Sequence, residues 1–333
     1  MRPGPFPFTL RQLQYAVAVG ETLNFRRAAE RCHVSQPSLS AQLAELEGAV
    51  GVRLFERDKK RVLVTAVGQE LIARARSLLV NAEDLLGTAR RLGDPLSGTF
   101  RVGIIPTISP YLLPAVVPAL RGRYPALTIL WVEDKTDALV RSLAAGDLDA
   151  AVVALESRLG DVEHEVIARD PFVLAIPIGH PLGRSKAPAT RAELRGAHVL
   201  LLDDGHCFRD QALALCAAAE AQELDFRATS LSTLAQMVAG GAGVTLLPRL
   251  AVATEARRSR LAIRPFAEPA PARTLALAWR RSASLGPALR QIAATMRERH
   301  AQADGAGRGG AGRPRKLRIK RAAAARDAIS LRK

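Results

Sequence analysis

Cysteines, aromatic residues and long apolar runs are all scarce in this 333-residue chain. It holds three cysteines without regular spacing, and 4% of its residues are aromatic. This usage excludes the disulfide framework of a small secreted domain. No run approaches the roughly eighteen apolar residues of a membrane span, and the opening "MRPGPFPFTL" lacks the apolar core of a secretory signal. We therefore expect a soluble, cytoplasmic protein with no membrane contact.

Motifs of nucleotide-dependent and hydrolytic enzymes are missing as well. The chain contains no G-x-x-x-x-G-K-[ST], G-x-S-x-G, H-E-x-x-H or C-x-x-C. The two acids of "GDLDA" (146–150) are placed to end a helix and to open a strand. We expect a protein that is not an enzyme and that uses neither a cofactor nor a metal.

Positive charge is concentrated at the two ends of the chain, whose net charge is +16. Residues 1–92 hold 14 Lys/Arg against 9 Asp/Glu (+5), and residues 308–333 hold 10 against 1 (+9). Residues 93–307 hold 24 against 22 (+2) and are nearly neutral. Basic ends around a neutral body favour a nucleic-acid partner.

The N-terminal region has the pattern of a winged helix-turn-helix. Thr9, Asn24 and Ser35 are placed as N-caps of three helices, with the tight turn "CHV" (32–34) before the third. On that third helix Leu39, Leu43 and Leu46 share one face and leave short polar side chains on the other, as in a helix that enters the major groove. "VRLFERDKKRVLVTAVG" (52–68) then predicts a hairpin wing with a basic tip.

The stretch "FRRAAERCHVSQPSLSAQLAELEGAVGVRLFERD…VTAVG" resembles the winged helix-turn-helix of LysR-type transcriptional regulators. The resemblance implies double-stranded promoter DNA as a partner, a homotetramer, and contact with RNA polymerase. It also implies a set of DNA-binding residues at the start of the recognition helix and in the wing: Ser35, Gln36, Pro37, Ser38, Ser40, Gln42, Arg53 and Arg57.

The segment 67–93 predicts a coiled coil. Apolar residues recur at alternating intervals of four and three: Leu71, Ala75, Leu78, Ala82, Leu85, Ala89 and Leu92. A strict seven-residue repeat favours an intermolecular helix pair over a lone helix, which would follow a 3.6-residue period. The chain is therefore expected to form a homodimer through this helix.

From Thr99 onward short apolar strands alternate with helical segments, which predicts an α/β body with mainly parallel sheets. About 200 residues suffice for two lobes with a ligand cleft between them. The family resemblance agrees, since LysR-type regulators have a two-lobed effector domain similar to periplasmic binding proteins.

Two of the three cysteines, Cys207 and Cys216, are nine residues apart in "GHCFRDQALALC". Cys207 follows a strand and a glycine turn, so it is expected near a helix N-terminus, where a thiolate is favoured. The nearby acids Asp203 and Asp204 oppose this if they point inward. If the residues between the cysteines are helical, a disulfide cannot form without unwinding the helix. The alternative is that both cysteines, like Cys32, are small apolar residues of the core.

Within the family, "IPTISPYLLP", "LLLDDGHCFRDQALALC" and "FRATSLSTLAQMVAGGAGVTLLP" are similar to the members that sense hydrogen peroxide. This resemblance implies that Cys207 is oxidised to a sulfenic acid and that Cys216 resolves it as a disulfide. It also implies a peroxide pocket of six polar residues: Thr107, Thr136, His206, Asp210, Gln211 and Arg280. Arg281, adjacent to Arg280, is the alternative for the last of these positions.

The sequence thus predicts an α/β protein with five parts. These are a disordered N-terminus (1–8), an all-α winged helix-turn-helix (9–66), a coiled-coil linker helix (67–93), a two-lobed α/β regulatory domain (99–300) and a basic disordered tail (301–333). We expect a peroxide-sensing transcription activator of oxidative-stress genes. Two alternatives remain: a LysR-type regulator that binds a small organic effector in its cleft, and a thiol peroxidase.

Overall fold

The computed structural model describes residues 6–58, 61–90 and 94–309. The N-terminal part consists of α1 (Leu10–Thr22), α2 (Phe25–Arg31), α3 (Gln36–Val50), β1 (Phe55–Asp58), β2 (Arg61–Val64) and α4 (Ala66–Arg90). The body consists of β3 (Gly98–Ile104), α5 (Ser109–Arg123), β4 (Leu127–Glu133), α6 (Thr136–Ala145), β5 (Ala150–Ala154), β6 (Val162–Pro177), β7 (His198–Leu202), α7 (Cys207–Ala218), β8 (Gln222–Ala228), α8 (Leu231–Ala239), β9 (Thr245–Pro248), α9 (Arg249–Ser259), β10 (Leu261–Pro265), β11 (Ala272–Arg280) and α10 (Gly286–Gly309).

The three N-terminal helices begin at the residues that the sequence indicates. Thr9, Asn24 and Ser35 are their N-caps, and each side chain accepts a hydrogen bond from a backbone N–H three residues further on. Such a cap contributes about 1 kcal/mol, because it pairs a helix N–H that otherwise has no partner. The turn between α2 and α3 falls at 32–34, as predicted. These bonds determine where the recognition helix α3 begins.

The core of this N-terminal unit lies between α1, α2, α3 and the first half of α4. Leu39 and Leu43 of α3 are completely buried there. Glu47, near the end of α3, accepts hydrogen bonds at Oε1 from the backbone N–H groups of Leu54 (2.7 Å) and Phe55 (3.1 Å). The antiparallel β1–β2 hairpin is therefore tied directly to the recognition helix. Cys32 ends α2 and is half-buried rather than fully buried.

Helix α4 connects the N-terminal unit to the body. Ile72 and Ala75 belong to the N-terminal core, whereas the side chain of Val80 reaches Gly146 at the end of α6. Two of the predicted heptad leucines remain exposed, Leu78 at 49% and Leu85 at 71%. The predicted linker extends to residue 93, but 91–93 lie outside the described residues.

The body has two lobes with separate hydrophobic cores. The lobe I core is formed by residues from β3, α5, β4, α6, β5, β11 and α10. The lobe II core is formed by the second half of β6, β7, α7 and α8, with contributions from β9, α9 and β10. Strand β6 crosses from one lobe to the other, because its first half pairs with β11 and its second half pairs with β9 and β10. The predicted two-lobed α/β fold is thereby confirmed.

The prediction of mainly parallel sheets is wrong. The pairings β3–β4, β3–β5 and β7–β8 are parallel, but β6–β11, β5–β11, β6–β10 and β6–β9 are antiparallel. Each of these antiparallel pairings involves β6 or β11. The first half of β6, "VEHEVIA", contains three consecutive polar residues and so lacks the alternation that predicts a strand.

The last helix of the body extends past its predicted end. Helix α10 continues to Gly309, nine residues beyond the expected end of the body at 300. The residues Ala301–Gln302–Ala303 favour continuation of the helix past residue 300. Residues 1–5 and 310–333, which include most of the two predicted disordered segments, lie outside the described residues. Over the part of the chain that is described, no helix is long and apolar enough to cross a membrane.

Candidate functional site

Cys207 lies between the two lobes. Strand β7 ends at Leu202, Gly205 turns the chain with a φ of +84°, and Cys207 is the first residue of α7. The helix belongs to lobe II, yet Cys207 is half-buried and packs against the core of lobe I. Its backbone lies in the first turn of α7, where helix N–H groups are unpaired and an anion is favoured. The expectation that Cys207 lies at a helix N-terminus is confirmed.

Several polar side-chain atoms near Cys207 are buried without a hydrogen-bond partner among the described residues. They are Thr136 Oγ1, His206 Nε2, and both Oε1 and Nε2 of Gln211. His206 precedes Cys207, and Gln211 is one helical turn further on. Thr136 follows Lys135, which contacts the turn before Cys207. Buried polar atoms nearly always have a partner, so each of these unpaired atoms is available to a small polar ligand.

The imidazole of His206 is buried, and its N-cap position provides no side-chain hydrogen bond to the helix. Burial, together with the nearby ammonium group of Lys135, lowers the pKa of His206, although Asp203 acts in the opposite direction. Neutral imidazole has one donor and one acceptor nitrogen. His206 can therefore either donate to or accept from a small molecule beside Cys207.

Thr107 is held by an arginine that the sequence did not indicate. Nη1 of Arg273 donates to Thr107 Oγ1 at 2.7 Å, and Nη2 donates to the Thr107 carbonyl at 3.0 Å. Nε of the same arginine bonds to Asp170 Oδ2 at 3.0 Å, and the guanidinium group lies 5.6 Å from the ring centre of Phe208. Arg273 thus joins lobe I, the strand that connects the lobes, and the residue after Cys207.

The structure does not bring Arg280 to this site. Its Nη1 donates to the carbonyls of Leu143 (2.9 Å) and Leu148 (2.6 Å). Those carbonyls are at the C-terminal end of α6, whereas Thr136 begins that helix. Arg281 is exposed and pairs with Asp161. Arg273, seven residues earlier on the same strand, is therefore the arginine of β11 that contacts Thr107 of the predicted pocket.

The acids near Cys207 differ in their surroundings. Asp210 is exposed on α7. Asp203 and Asp204 are directed toward cations: Lys135 lies near Asp203, and Arg209 and Arg227 both contact the Asp204 carboxylate. The opposing negative charge considered from the sequence is thus largely neutralised by these pairs.

Cys216 has a very different environment from Cys207. It is 3% exposed and belongs to the core of lobe II. Burial, with a smaller contribution from Glu223, raises the pKa of Cys216 to about 11. Because the thiolate is the nucleophilic form, Cys216 is unreactive where it stands.

The two cysteines lie on one uninterrupted helix, α7. Nine residues at about 1.5 Å each separate them by roughly 13 Å along the axis, whereas a disulfide needs Cα atoms within about 7 Å. Both cysteines are free in this structure. The expectation that a disulfide requires unwinding of this helix therefore holds for the observed geometry.

A second polar contact joins the lobes near the hinge. The Tyr111 hydroxyl on α5 donates to Glu255 Oε1 at 2.8 Å, and Ser232 donates to the same oxygen at 2.7 Å. Glu255 is 1% exposed. Burial and the Glu255 carboxylate raise the pKa of Tyr111, so its hydroxyl stays protonated and acts as the donor. Nothing in the sequence indicates this contact, because its partners are 144 residues apart.

The predicted DNA-binding residues lie at the start of α3 and beside it. Ser35, Gln36, Pro37 and Ser38 are exposed, Ser40 and Gln42 are half-buried, and Arg53 is exposed before the wing. Gln42 Nε2 donates to Glu45 Oε2 at 2.8 Å, which holds its amide on the outer face of the helix. The side chain of Arg57 and the wing tip at 59–60 lie outside the described residues.

Comparisons with known proteins agree with this architecture. Residues 10–69 match the model of the bacterial regulatory helix-turn-helix protein, lysR family, and residues 93–301 match the LysR substrate binding domain. The chain belongs to the LysR family of transcription regulators. A helix-turn-helix regulator of this family binds DNA.

Within the family the chain is similar to OxyR. The DNA-binding transcriptional dual regulator OxyR of Escherichia coli K12 is 41% identical over 291 residues, which cover 87% of this chain and 95% of that protein. A full-length OxyR variant from Pseudomonas aeruginosa has a TM-score of 0.70 at 37% identity and covers 87% of this chain and 95% of its own. A hydrogen-peroxide-bound OxyR mutant of Corynebacterium glutamicum has a TM-score of 0.63 at 33% identity, with 93% and 98% covered.

Proposed function

We propose that this chain is a cytoplasmic transcription regulator that senses hydrogen peroxide through Cys207 and activates oxidative-stress genes. The observation that supports this most directly is the position of Cys207, which begins α7 between the lobes with the unpaired atoms of Thr136, His206 and Gln211 around it. Hydrogen peroxide has two donors and several acceptor sites, so it suits such a group of atoms. The peroxide-bound OxyR neighbour supports the same reading.

In the first step the thiolate of Cys207 attacks one oxygen of hydrogen peroxide. An S–O bond forms as the O–O bond breaks, which gives a sulfenic acid and hydroxide, and a proton converts the hydroxide to water. Thr107, Thr136, His206 and Gln211 are proposed to hold the peroxide. Arg273 is proposed to orient Thr107 through its two hydrogen bonds.

In the second step the thiolate of Cys216 attacks the sulfur of the sulfenic acid. The S–S bond forms, and the oxygen leaves as water after protonation. Because α7 separates the two sulfurs and buries Cys216, this step requires the helix to unwind. Unwinding also exposes Cys216 and brings its pKa back toward the ordinary value, which makes the thiolate available.

Refolding of α7 is proposed to change the orientation of the two lobes and of the DNA-binding units. Ser35, Gln36, Pro37, Ser38, Ser40 and Gln42 would contact DNA from α3, with Arg53 and Arg57 at the backbone beside the wing. The homodimer is proposed to form through 67–93 and to assemble into a homotetramer that contacts RNA polymerase. The chain itself is proposed not to be an enzyme, since peroxide serves as its signal.

The decisive experiment is mass spectrometry of the Cys207–Cys216 linkage before and after micromolar peroxide, run beside a promoter-binding assay. We expect the linkage to appear together with a changed DNA footprint. Cys32→Ser is the matched control and should retain both responses. If both Cys207 and Cys216 stay alkylatable after peroxide, or if Cys207→Ser still responds, the proposal is wrong.

A further inference from the structure

Lys135 reaches from lobe I to the turn that precedes Cys207. It stands directly before α6, and its Nζ donates to the Asp204 carbonyl at 2.6 Å and lies 3.4 Å from Asp203 Oδ2. Its aliphatic stem covers Gly205, where a β-carbon would lie 3.1 Å from Lys135 Cδ. One side chain therefore contacts three consecutive residues, and the next two are His206 and Cys207.

We propose that Lys135 is a positioning residue that holds the Cys207-bearing turn against lobe I in the reduced protein, and that this contact must be released before the disulfide can form. The inference rests on the proposed function, because it concerns the two oxidation steps at Cys207. Lys135 does not touch the reacting sulfur and acts through the turn 203–205.

The position of Lys135 connects the turn to the peroxide site. Thr136, the next residue, carries one of the unpaired buried hydroxyls. As long as Lys135 holds the turn, Thr136 of lobe I and Cys207 of lobe II keep the same position relative to each other. Loss of the contact is therefore expected to slow the attack of Cys207 on peroxide, since that step depends on the alignment of groups from both lobes.

The same contact opposes the second step. Disulfide formation requires α7 to unwind from its first residue. The turn 203–205, which Lys135 contacts, must then move together with Cys207. Loss of the contact is therefore expected to accelerate closure of the disulfide. A residue that merely stabilised the fold would not shift the two steps in opposite directions.

Other cations at the turn act within lobe II. Arg227 on β8 and Arg209 on α7 contact the Asp204 carboxylate, and Arg209 also pairs with Glu223 on β8. These pairs remain when the lobes separate, whereas the Lys135 contact does not. Arg227, whose side chain is 49% exposed against 39% for Lys135, is thus a matched control with the same partner residue.

The test compares Lys135→Met, Lys135→Arg and Arg227→Gln in the full-length protein. Methionine keeps an unbranched stem over Gly205 and removes the charge together with the hydrogen bond to the Asp204 carbonyl. Sulfenic acid formation is measured in the Cys216→Ser background with hydrogen peroxide and dimedone trapping. Disulfide closure is measured by stopped-flow in the protein with both cysteines. We expect Lys135→Met to slow the first step and to accelerate the second, each by roughly threefold, the size typical of a half-exposed ion pair.

Lys135→Arg should restore both rates toward those of the parent, and Arg227→Gln should not produce the opposing shifts. Hydrogen exchange of the reduced protein provides a readout that needs no oxidation: the amide of Asp203, which donates to the Ala228 carbonyl at 2.7 Å, should lose protection in Lys135→Met. Effects of the same sign on both steps, or unchanged protection, would overturn the role of Lys135. If instead the parent protein forms no sulfenic acid at Cys207, the proposed function is wrong. The exchange result then still shows whether Lys135 holds the turn 203–205.

Discussion

Cys207 and Cys216 are the first and tenth residues of the same helix, and they belong to different environments. Cys207 packs against the core of lobe I, whereas Cys216 is enclosed in the core of lobe II. Joining their sulfurs therefore removes a side chain from one core and dissolves the helix between them. Oxidation is a local unfolding event in this protein, and its effects can be measured as such.

Peroxide should remove the protection of α7 against hydrogen exchange. We expect the amides of Cys207–Ala218 to exchange faster after oxidation and to recover with dithiothreitol, because the disulfide cannot coexist with the helix. Cys216→Ser, which stops at the sulfenic acid, should keep the protection after the same treatment. Protection that survives in a protein shown by mass spectrometry to contain the disulfide would contradict the geometry.

The burial of Cys216 should be visible in its reactivity toward iodoacetamide. Its pKa is raised to about 11 in the folded protein. Burial of the neutral thiol therefore contributes in full to folding stability at pH values below the ordinary thiol pKa near 8.5. Above that pH the thiol ionises in the unfolded protein but stays neutral in the folded one. The free energy of unfolding therefore falls as the pH rises from about 9 to 11. At pH 8 we expect alkylation of Cys216 to be much slower in the native than in the urea-unfolded protein.

The buried pair of Arg273 and Asp170 should be sensitive to the loss of one partner. Both side chains are 2% exposed or less, so Arg273→Met leaves an unpaired buried carboxylate, at a cost of about 3–5 kcal/mol. Asp170→Asn in the same background removes the charge and retains the acceptor for the Leu250 N–H. We expect the double variant to recover part of the lost stability in urea denaturation of the full chain. A double variant less stable than Arg273→Met would exclude this explanation.

Gln42 and Arg53 should differ in the kind of DNA affinity that they provide. Gln42 is on the outer face of α3, so Gln42→Ala is expected to cost about 1–3 kcal/mol at one base position and to relax sequence preference there. Arg53→Gln is expected to weaken binding to all sequences and to reduce the slope of log K against log salt by about 0.9. Fluorescence anisotropy with promoter and scrambled duplexes at several salt concentrations separates the two. A salt slope unchanged in Arg53→Gln would show that this arginine does not contact phosphate.

The exposed leucines of α4 should be required for association. Leu85 is 71% exposed on a helix that has the period of a coiled coil. We expect Leu85→Glu to halve the assembled mass in sedimentation at micromolar concentration. Leu63→Glu is the matched control, since Leu63 is 50% exposed on the wing strand β2. Equal masses for the parent and Leu85→Glu would place the dimer contact elsewhere.

Local signals in the sequence were sufficient for the parts that depend on neighbours in the chain. The caps Thr9, Asn24 and Ser35, and the position of Cys207 at the start of α7, follow from short-range hydrogen bonding and turn chemistry. They are found where the sequence indicates them because each is decided within about four residues.

Contacts between distant segments could not be read in the same way. Arg273 and Thr107 are 166 residues apart, and both Arg273 and Arg280 flank the same apolar run of β11. Only the pairing of β11 with β6, which puts Arg273 opposite Asp170, decides which arginine enters the site. Lys135 was missed for the same reason, as nothing near it in the chain indicates its partner across the cleft.

Because the disulfide and helix α7 exclude one another, the stability of that helix affects the reduction potential of the Cys207–Cys216 pair. Every interaction that favours the folded helix in the dithiol form makes the disulfide easier to reduce, so it raises the reduction potential. About 1.4 kcal/mol of added helix stability corresponds to roughly 30 mV. Replacing an exposed residue of α7 with a better or poorer helix former therefore changes the reduction potential of the pair without altering either cysteine.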